Sequence, residues 1–182
     1  MKQVELLMDA VALDRALSRI AHQILERNPA LENLGFVGMQ TRGVYVARRI
    51  AAKINEMEKT TLAVGTLDAT LYRDDYRSRP RQRTMQATDI PFDISDKDII
   101  LCDDVLHTGR TVRAALDELI DFGRPKTIQL AVVIDRGHRE LPIRADFVGM
   151  KITARHGQEV ALKVTELDKE DSLWLMQREE GD

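Results

Sequence analysis

The chain has 182 residues, of which 43% are hydrophobic and 31% charged, and its formal net charge is -3. That length suits one α/β domain, residues 1–182, with a full hydrophobic core and a small appended subregion. The near-balanced charge excludes a chain that binds polyanions through its overall field, so any nucleic-acid contact must come from a local basic patch.

The single cysteine, Cys102, has no internal disulfide partner and sits in the apolar run Ile99-Ile100-Leu101-Cys102. It reads as a buried strand thiol, not a nucleophile. Near the N-terminus, Glu5, Asp9 and Asp14 interrupt the apolar stretch, so no signal peptide is expected. No apolar run is long enough to span a bilayer, and the expectation is a cytoplasmic protein without a membrane partner.

Asp9 is placed to cap a helix in which Val11, Ala12, Leu13, Ala16, Leu17, Ile20 and Ile24 recur at helical spacing, ending near Asn28-Pro29. Residues 34–39 predict a buried strand. Thr41-Arg42-Gly43 then predicts a tight turn into a second helix, 44 to about 56. Residues 61–71 read as a strand. Residues 72–89 carry Arg73, Arg77, Arg79, Arg81 and Arg83 around Pro80 with little apolar periodicity, which predicts a mobile loop or flared hairpin. Beside an anionic substrate, such a loop reads as a lid.

Residues 98–103 predict a buried strand, and 108–123 a loop and helix closed by Gly123. Strands follow at 127–134, 146–152 and 159–165, and 173–176 is expected to close the sheet, with Trp174 packing near the C-terminus. Strands alternating with helices predict an α/β fold, a mostly parallel central sheet flanked by helices, with ligands at the carboxyl ends of its strands.

The stretch that carries chemistry is Ile99-Ile100-Leu101-Cys102-Asp103-Asp104-Val105-Leu106-His107-Thr108-Gly109-Arg110-Thr111. A buried strand delivers two carboxylates, then two apolar residues, then Thr-Gly-x-Thr opening a helix. Backbone N–H groups and hydroxyls at a helix N-terminus make a phosphate cradle. Gly109 permits close approach and unusual dihedrals. Asp103 and Asp104 can accept hydrogen bonds from ribose hydroxyls and stabilise a sugar that becomes cation-like. Phosphate at one end and diol at the other outline a ribose 5-phosphate.

This run resembles the motif by which type I phosphoribosyltransferases bind phosphoribosyl pyrophosphate (PRPP). Thr41-Arg42-Gly43, the Arg-rich loop 72–89, the run Thr108-Gly109-Arg110-Thr111-Val112-Arg113-Ala114-Ala115 and above all Asp135-Arg136-Gly137-His138-Arg139-Glu140-Leu141-Pro142-Ile143 narrow it. Together they resemble the pyrimidine operon attenuation protein / uracil phosphoribosyltransferase family, over about residues 4–166.

That resemblance implies a type I phosphoribosyltransferase fold with a flexible lid loop and a small hood. It also implies an enzyme making UMP and pyrophosphate from uracil and PRPP with Mg²⁺, which arrives with PRPP; no protein cluster with metal-ligand spacing is present in the sequence. Asp103 and Asp104 would hold the ribose beside Val105 and Leu106, Thr108 to Thr111 the 5-phosphate, and Thr41, Arg42 and Gly43 the pyrophosphate through a strained turn. Arg83 would reach the substrate from the loop, and Arg136 and the backbone near Val160 would lie by the base. His107 stands where the family usually has tyrosine. Its ring is a candidate proton handler near neutral pH, although packing over the sugar is the plainer reading. A purine-base enzyme without an RNA role is the alternative, against which the Asp-Asp pair and the 135–143 segment argue.

The resemblance further implies uridine-nucleotide-dependent binding of the pyrimidine operon mRNA leader, with UMP or UTP as signal, and a homodimer or homotetramer. Arg15, Arg19 and His22 share one face of the first helix by spacing. Arg27, Arg139 and Arg144 are expected to extend that face into a basic RNA-binding patch.

Overall fold

The computed structural model describes residues 1–72, 87–155 and 157–177. A five-stranded parallel sheet in the order β3-β2-β4-β5-β6 forms its centre. Its strands are β2 (Leu34–Met39), β3 (Ala63–Leu67), β4 (Asp98–Leu106), β5 (Thr127–Asp135) and β6 (Phe147–Lys151). A second, antiparallel sheet, β1-β8-β7, forms a hood from β1 (Lys2–Met8), β7 (Gln158–Lys163) and β8 (Ser172–Gln177).

The helices are α1 (Ala10–Arg27), α2 (Arg42–Glu58), α3 (Arg110–Asp121) and the short α4 (Thr165–Asp168). Asp9 caps α1 as its sequence predicts, accepting the Ala12 amide at 2.8 Å. Alternation along β4 splits the core in two. Ile100 and Cys102 join the cluster built by α1 and α2, whereas Ile99 and Leu101 join the one built by α3. Hood residues Leu162, Val164 and Leu173 belong to the α1/α2 cluster, so hood and central sheet share apolar packing. Burial pushes the Cys102 thiol well above its ordinary range, which fits an inert core residue.

The strand expected at 159–165 is present as β7, which among the described residues pairs with β8 in the hood and not with the central sheet. For the same reason β8 does not close the central sheet, whose edges are β3 and β6. The N-terminal segment, read only as an interrupted apolar stretch, is a strand of the hood. Residues 61–71 divide into β3 and a 3-10 turn, Ala69–Tyr72.

Candidate active site

The ligand-facing end of the central sheet is assembled from three junctions. At the first, the turn after β2 enters α2 at Arg42, with a cis peptide at Gln40–Thr41. α2 packs directly on the end of β4 because residue 43 is glycine: a Cβ there would stand 2.5 Å from the Cys102 carbonyl oxygen. At the second, β4 runs three residues beyond the predicted 103, so both aspartates lie within it, Asp103 in register with Val132 and Leu106 with Asp135. Asp103 is buried and Asp104 half-buried. Each carboxylate accepts the next backbone amide, Asp104 N–H onto Asp103 at 2.9 Å and Val105 N–H onto Asp104 at 2.8 Å, which fixes both side chains at the strand's end.

The phosphate cradle follows at once. Gly109, at φ 91°, is the N-cap of α3 and itself offers no capping side chain. The left-handed conformation is one that only glycine adopts without strain. Thr108 Oγ1 accepts the Arg110 amide at 3.3 Å.

The third junction is the family-specific segment after β5, and it braces the cradle. The amides of Glu140 and Leu141 both donate to the Thr108 carbonyl, at 3.0 and 3.1 Å. Arg110 pairs with Glu140 at 2.6 Å. Arg139 donates to the His107 carbonyl at 2.7 Å and the Ile143 carbonyl at 2.8 Å, and pairs with Asp135 at 2.6 Å. Arg139 therefore departs from its expected place in an exposed basic patch: its half-buried guanidinium is committed to the cradle's own backbone.

His107 is half-buried, with its ring 6.4 Å from that of His138 and nearly perpendicular to it. Burial, and then the nearby Arg136 and His138, push its pKa below the ordinary histidine value. The lowered pKa favours the neutral ring at pH 7. Arg136 reaches across to the hood, where its Nη2 donates to the Gln158 carbonyl at 2.8 Å, and this brings β7 and Val160 towards the site. Its Nε is buried without an acceptor. Arg42 is likewise drawn to the hood, donating to both oxygens of Asp168 at 2.8 and 3.1 Å. Neither Asp168 nor the bracing Glu140 is marked in the sequence as a partner of the motif.

Arg83, and the expected lid made by the arginines of 73–86, lie outside the described residues. The roots of that loop are side by side: Thr66 and Asp89 exchange amide hydrogen bonds at 2.7 and 2.9 Å. Among the described residues no group of three His, Cys, Asp or Glu side chains converges as a metal site. Hard carboxylate oxygens at Asp103 and Asp104, next to a phosphate cradle, are the donor type that suits Mg²⁺ carried by a substrate.

Away from this site, Arg15, Arg19 and His22 are exposed along α1, and exposed Arg144 lies just before the adjoining strand β6. Arg19 donates to the Gly149 carbonyl, and Arg27 pairs with Asp146 at 2.7 Å, so α1 is pinned to β6 at two points. The stripe survives without Arg139. No helix among the described residues is long and apolar enough to cross a membrane.

A strand-borne aspartate pair beside a Thr-Gly-x-Thr helix start, under a small hood, defines a type I phosphoribosyltransferase, and the family model described as phosphoribosyl transferase domain matches residues 4–169. The chain belongs to that family and, within it, to the bifunctional PyrR proteins. It is 54% identical to the one from Deinococcus radiodurans over 167 residues, 91% of each chain. It is 50% identical to that of Clostridioides difficile, covering 93% of this chain and 96% of the relative. Bifunctional protein PyrR of Bacillus subtilis is 46% identical, over 98% of this chain and all of its own. Among solved structures, the hypoxanthine phosphoribosyltransferase of Trypanosoma cruzi superposes with a TM-score of 0.73 at 13% identity, over 97% of this chain and 98% of its own. At that identity the likeness speaks for the fold alone.

Proposed function

We infer that this protein is a uracil phosphoribosyltransferase that also regulates pyrimidine operon expression by binding mRNA. The observation that carries the enzymatic reading is the juxtaposition of the Asp103–Asp104 carboxylates with the Thr108–Thr111 helix start on one continuous strand-to-helix unit. In this reading the 5-phosphate of PRPP lies on the amides and hydroxyls of Thr108 to Thr111, with Gly109 permitting close approach. Asp103 and Asp104 hold the ribose hydroxyls and stabilise positive charge on the sugar. The bond from the base nitrogen to the anomeric carbon forms as the bond to pyrophosphate breaks; pyrophosphate leaves with the electron pair, and the proton of the base nitrogen passes to pyrophosphate or solvent. Thr41, Arg42 and Gly43 receive it at the α2 N-terminus. Arg136 and the backbone near Val160 border the base, and His107 packs over the sugar as a neutral ring. Mg²⁺ bound with PRPP would neutralise charge on the pyrophosphate oxygens.

The regulatory reading rests on the exposed stripe of Arg15, Arg19 and His22, with Arg144 near it. Phosphate contacts would supply most of the affinity, and unpaired bases in a folded leader could stack on arginine and histidine. A uridine nucleotide in the active site raises RNA affinity only by favouring the RNA-competent state. A two-fold homodimer or tetramer would present the stripe twice. The protein acts in the cytoplasm in this reading.

The experiment is a base screen with PRPP and Mg²⁺, paired with leader-RNA binding in the presence of UMP. Arg19→Ala and His22→Ala should lose RNA binding and keep uracil transfer. Preference for a purine base would overturn the substrate, and indifference of the wild type to its own leader would overturn the regulatory role.

A further inference from the structure

The α2 helix begins bare: Thr41 makes no side-chain bond to its first turn. Arg42, the first residue, sends its guanidinium to the hood, where Nη2 serves both oxygens of Asp168 across 126 residues of sequence. Arg42 keeps a third of its side chain exposed and brings its charge to the first turn of a seventeen-residue helix, whose free amides and positive dipole end already favour an anion.

Asp168 is not a loose carboxylate. Its Oδ2 accepts the Val164 amide at 3.0 Å. About two turns further along α2, Arg49 grips Glu166 at 2.6 and 2.9 Å and Asp171 at 2.8 Å, so α4 is pinned on both sides of the residue that holds Arg42. Upstream, β7 runs into α4 through Val164, and β7 is the strand that Arg136 holds at the Gln158 carbonyl.

We propose that Asp168 is a positioning residue, which holds the Arg42 guanidinium at the start of α2, where its charge meets the diphosphate group of PRPP and departing pyrophosphate. The proposal rests on the phosphoribosyltransferase reading above. An arginine has five donors, so the bonds from Nη2 to the hood leave others for the ligand. The geometry also joins the base side to the diphosphate side: Val160 lies on β7, which runs through Val164 into α4, the helix that carries Asp168. Base and diphosphate then strengthen each other's binding by the same factor.

The test uses the full chain with Mg²⁺. Calorimetry gives the pyrophosphate Kd, and steady-state kinetics give KM for PRPP and kcat. Asp168→Asn should weaken pyrophosphate and raise KM for PRPP by about tenfold each, the scale of one charge-assisted hydrogen bond, with kcat at saturation nearly unchanged. Asp168→Glu should recover most of the loss. Arg42→Lys keeps the charge but lacks the planar fork that can hold Asp168 and a ligand oxygen together, and should lose the same factor while melting normally. The double variant should lose no more than either single one. Wild-type Kd and KM in both Asp168→Asn and Arg42→Lys, at wild-type Tm, would overturn the proposal. If the wild type binds pyrophosphate but ignores uracil, only the base assignment falls and the binding arm still decides. If it binds neither PRPP nor pyrophosphate, the phosphoribosyltransferase reading and this proposal fall together.

Discussion

Gly43 touches the strand beneath Asp103: a Cβ at residue 43 would stand 3.1 Å from the Asp103 Cα, closer than nearly any real side chain is tolerated next to backbone. The turn into α2 and the residue that carries the Asp103 carboxylate therefore share one backbone contact. Gly43→Ala must push α2 off β4 or distort both. The expected cost is about 1–3 kcal/mol of stability, together with a raised KM for PRPP. Thermal melting and a PRPP titration of the same preparation check it, and an unchanged KM would separate the turn from the carboxylates.

Asp103→Asn and Asp104→Asn should each lower turnover by ~10²–10³ at saturating PRPP while the fold survives. Both side chains accept a neighbouring amide, which an asparagine oxygen can still do. What is lost is negative charge facing the sugar. Near wild-type rates in either variant would mean the motif has another purpose.

Arg139→Ala should destabilise the protein by about 2 kcal/mol, between an exposed ion pair and a fully buried one. The substitution strands the His107 and Ile143 carbonyls and the Asp135 carboxylate, whose pKa is held down against its burial chiefly by Arg139 and the Gly137 amide. Arg144→Ala, on an exposed side chain, should leave Tm unaltered. Equal melting of the two variants would show that Arg139 braces nothing.

Glu118 is 6% exposed on α3, accepts the Thr88 hydroxyl at 2.6 Å, and leaves its second oxygen unpaired. Burial, with Asp68 and Asp121 nearby, raises its pKa despite the Thr88 bond. A carboxyl raised on folding stabilises fully below its unfolded pKa, about 4.3, and loses that contribution as pH rises through the folded value. Glu118→Gln should thus raise Tm at pH 7, by about 2–4 °C for a gain near 1 kcal/mol, and give no gain at pH 4. A gain equal at both pH values would remove ionisation as the cause.

The hood should loosen in acid. Arg49 holds Glu166 below its ordinary value; Asp168 and Asp171 are lowered too, since backbone amides and the Arg42 and Arg49 guanidiniums outweigh the upward push of burial. Carboxylates depressed on folding contribute stability above their unfolded pKa, about 4, and lose it as pH falls through the folded values. Melting followed by Trp174 fluorescence on β8 should therefore fall steeply below about pH 4, and Arg49→Met should flatten that slope.

The central sheet and its motif were legible because their signals are local. A capping aspartate at Asp9, an apolar run ending in Asp103-Asp104 and a Gly109 before a helix each fit within a few residues. The hood was not, because its pairings join residues far apart: Lys2 meets Gln177, and Arg42 meets Asp168. β1 left little trace: Leu6, Leu7 and Met8 are consecutive apolar residues, and Val4 and Leu6 are exposed, so no clean period of two marks the strand. The role of Arg139 was misread because charge alone says nothing of direction. Asp135 four residues earlier was the available hint of an internal partner.

Pairing β1 with β8 has a temporal consequence. A ribosome releases Lys2–Met8 long before Ser172–Gln177, so β1 must wait for the neighbour it hydrogen-bonds. Closing so long a loop is slow relative to the local strand–helix units of the central sheet. The strand-to-helix unit from Asp103 to Thr111 can therefore form while β8 is still inside the ribosome, before the hood is complete.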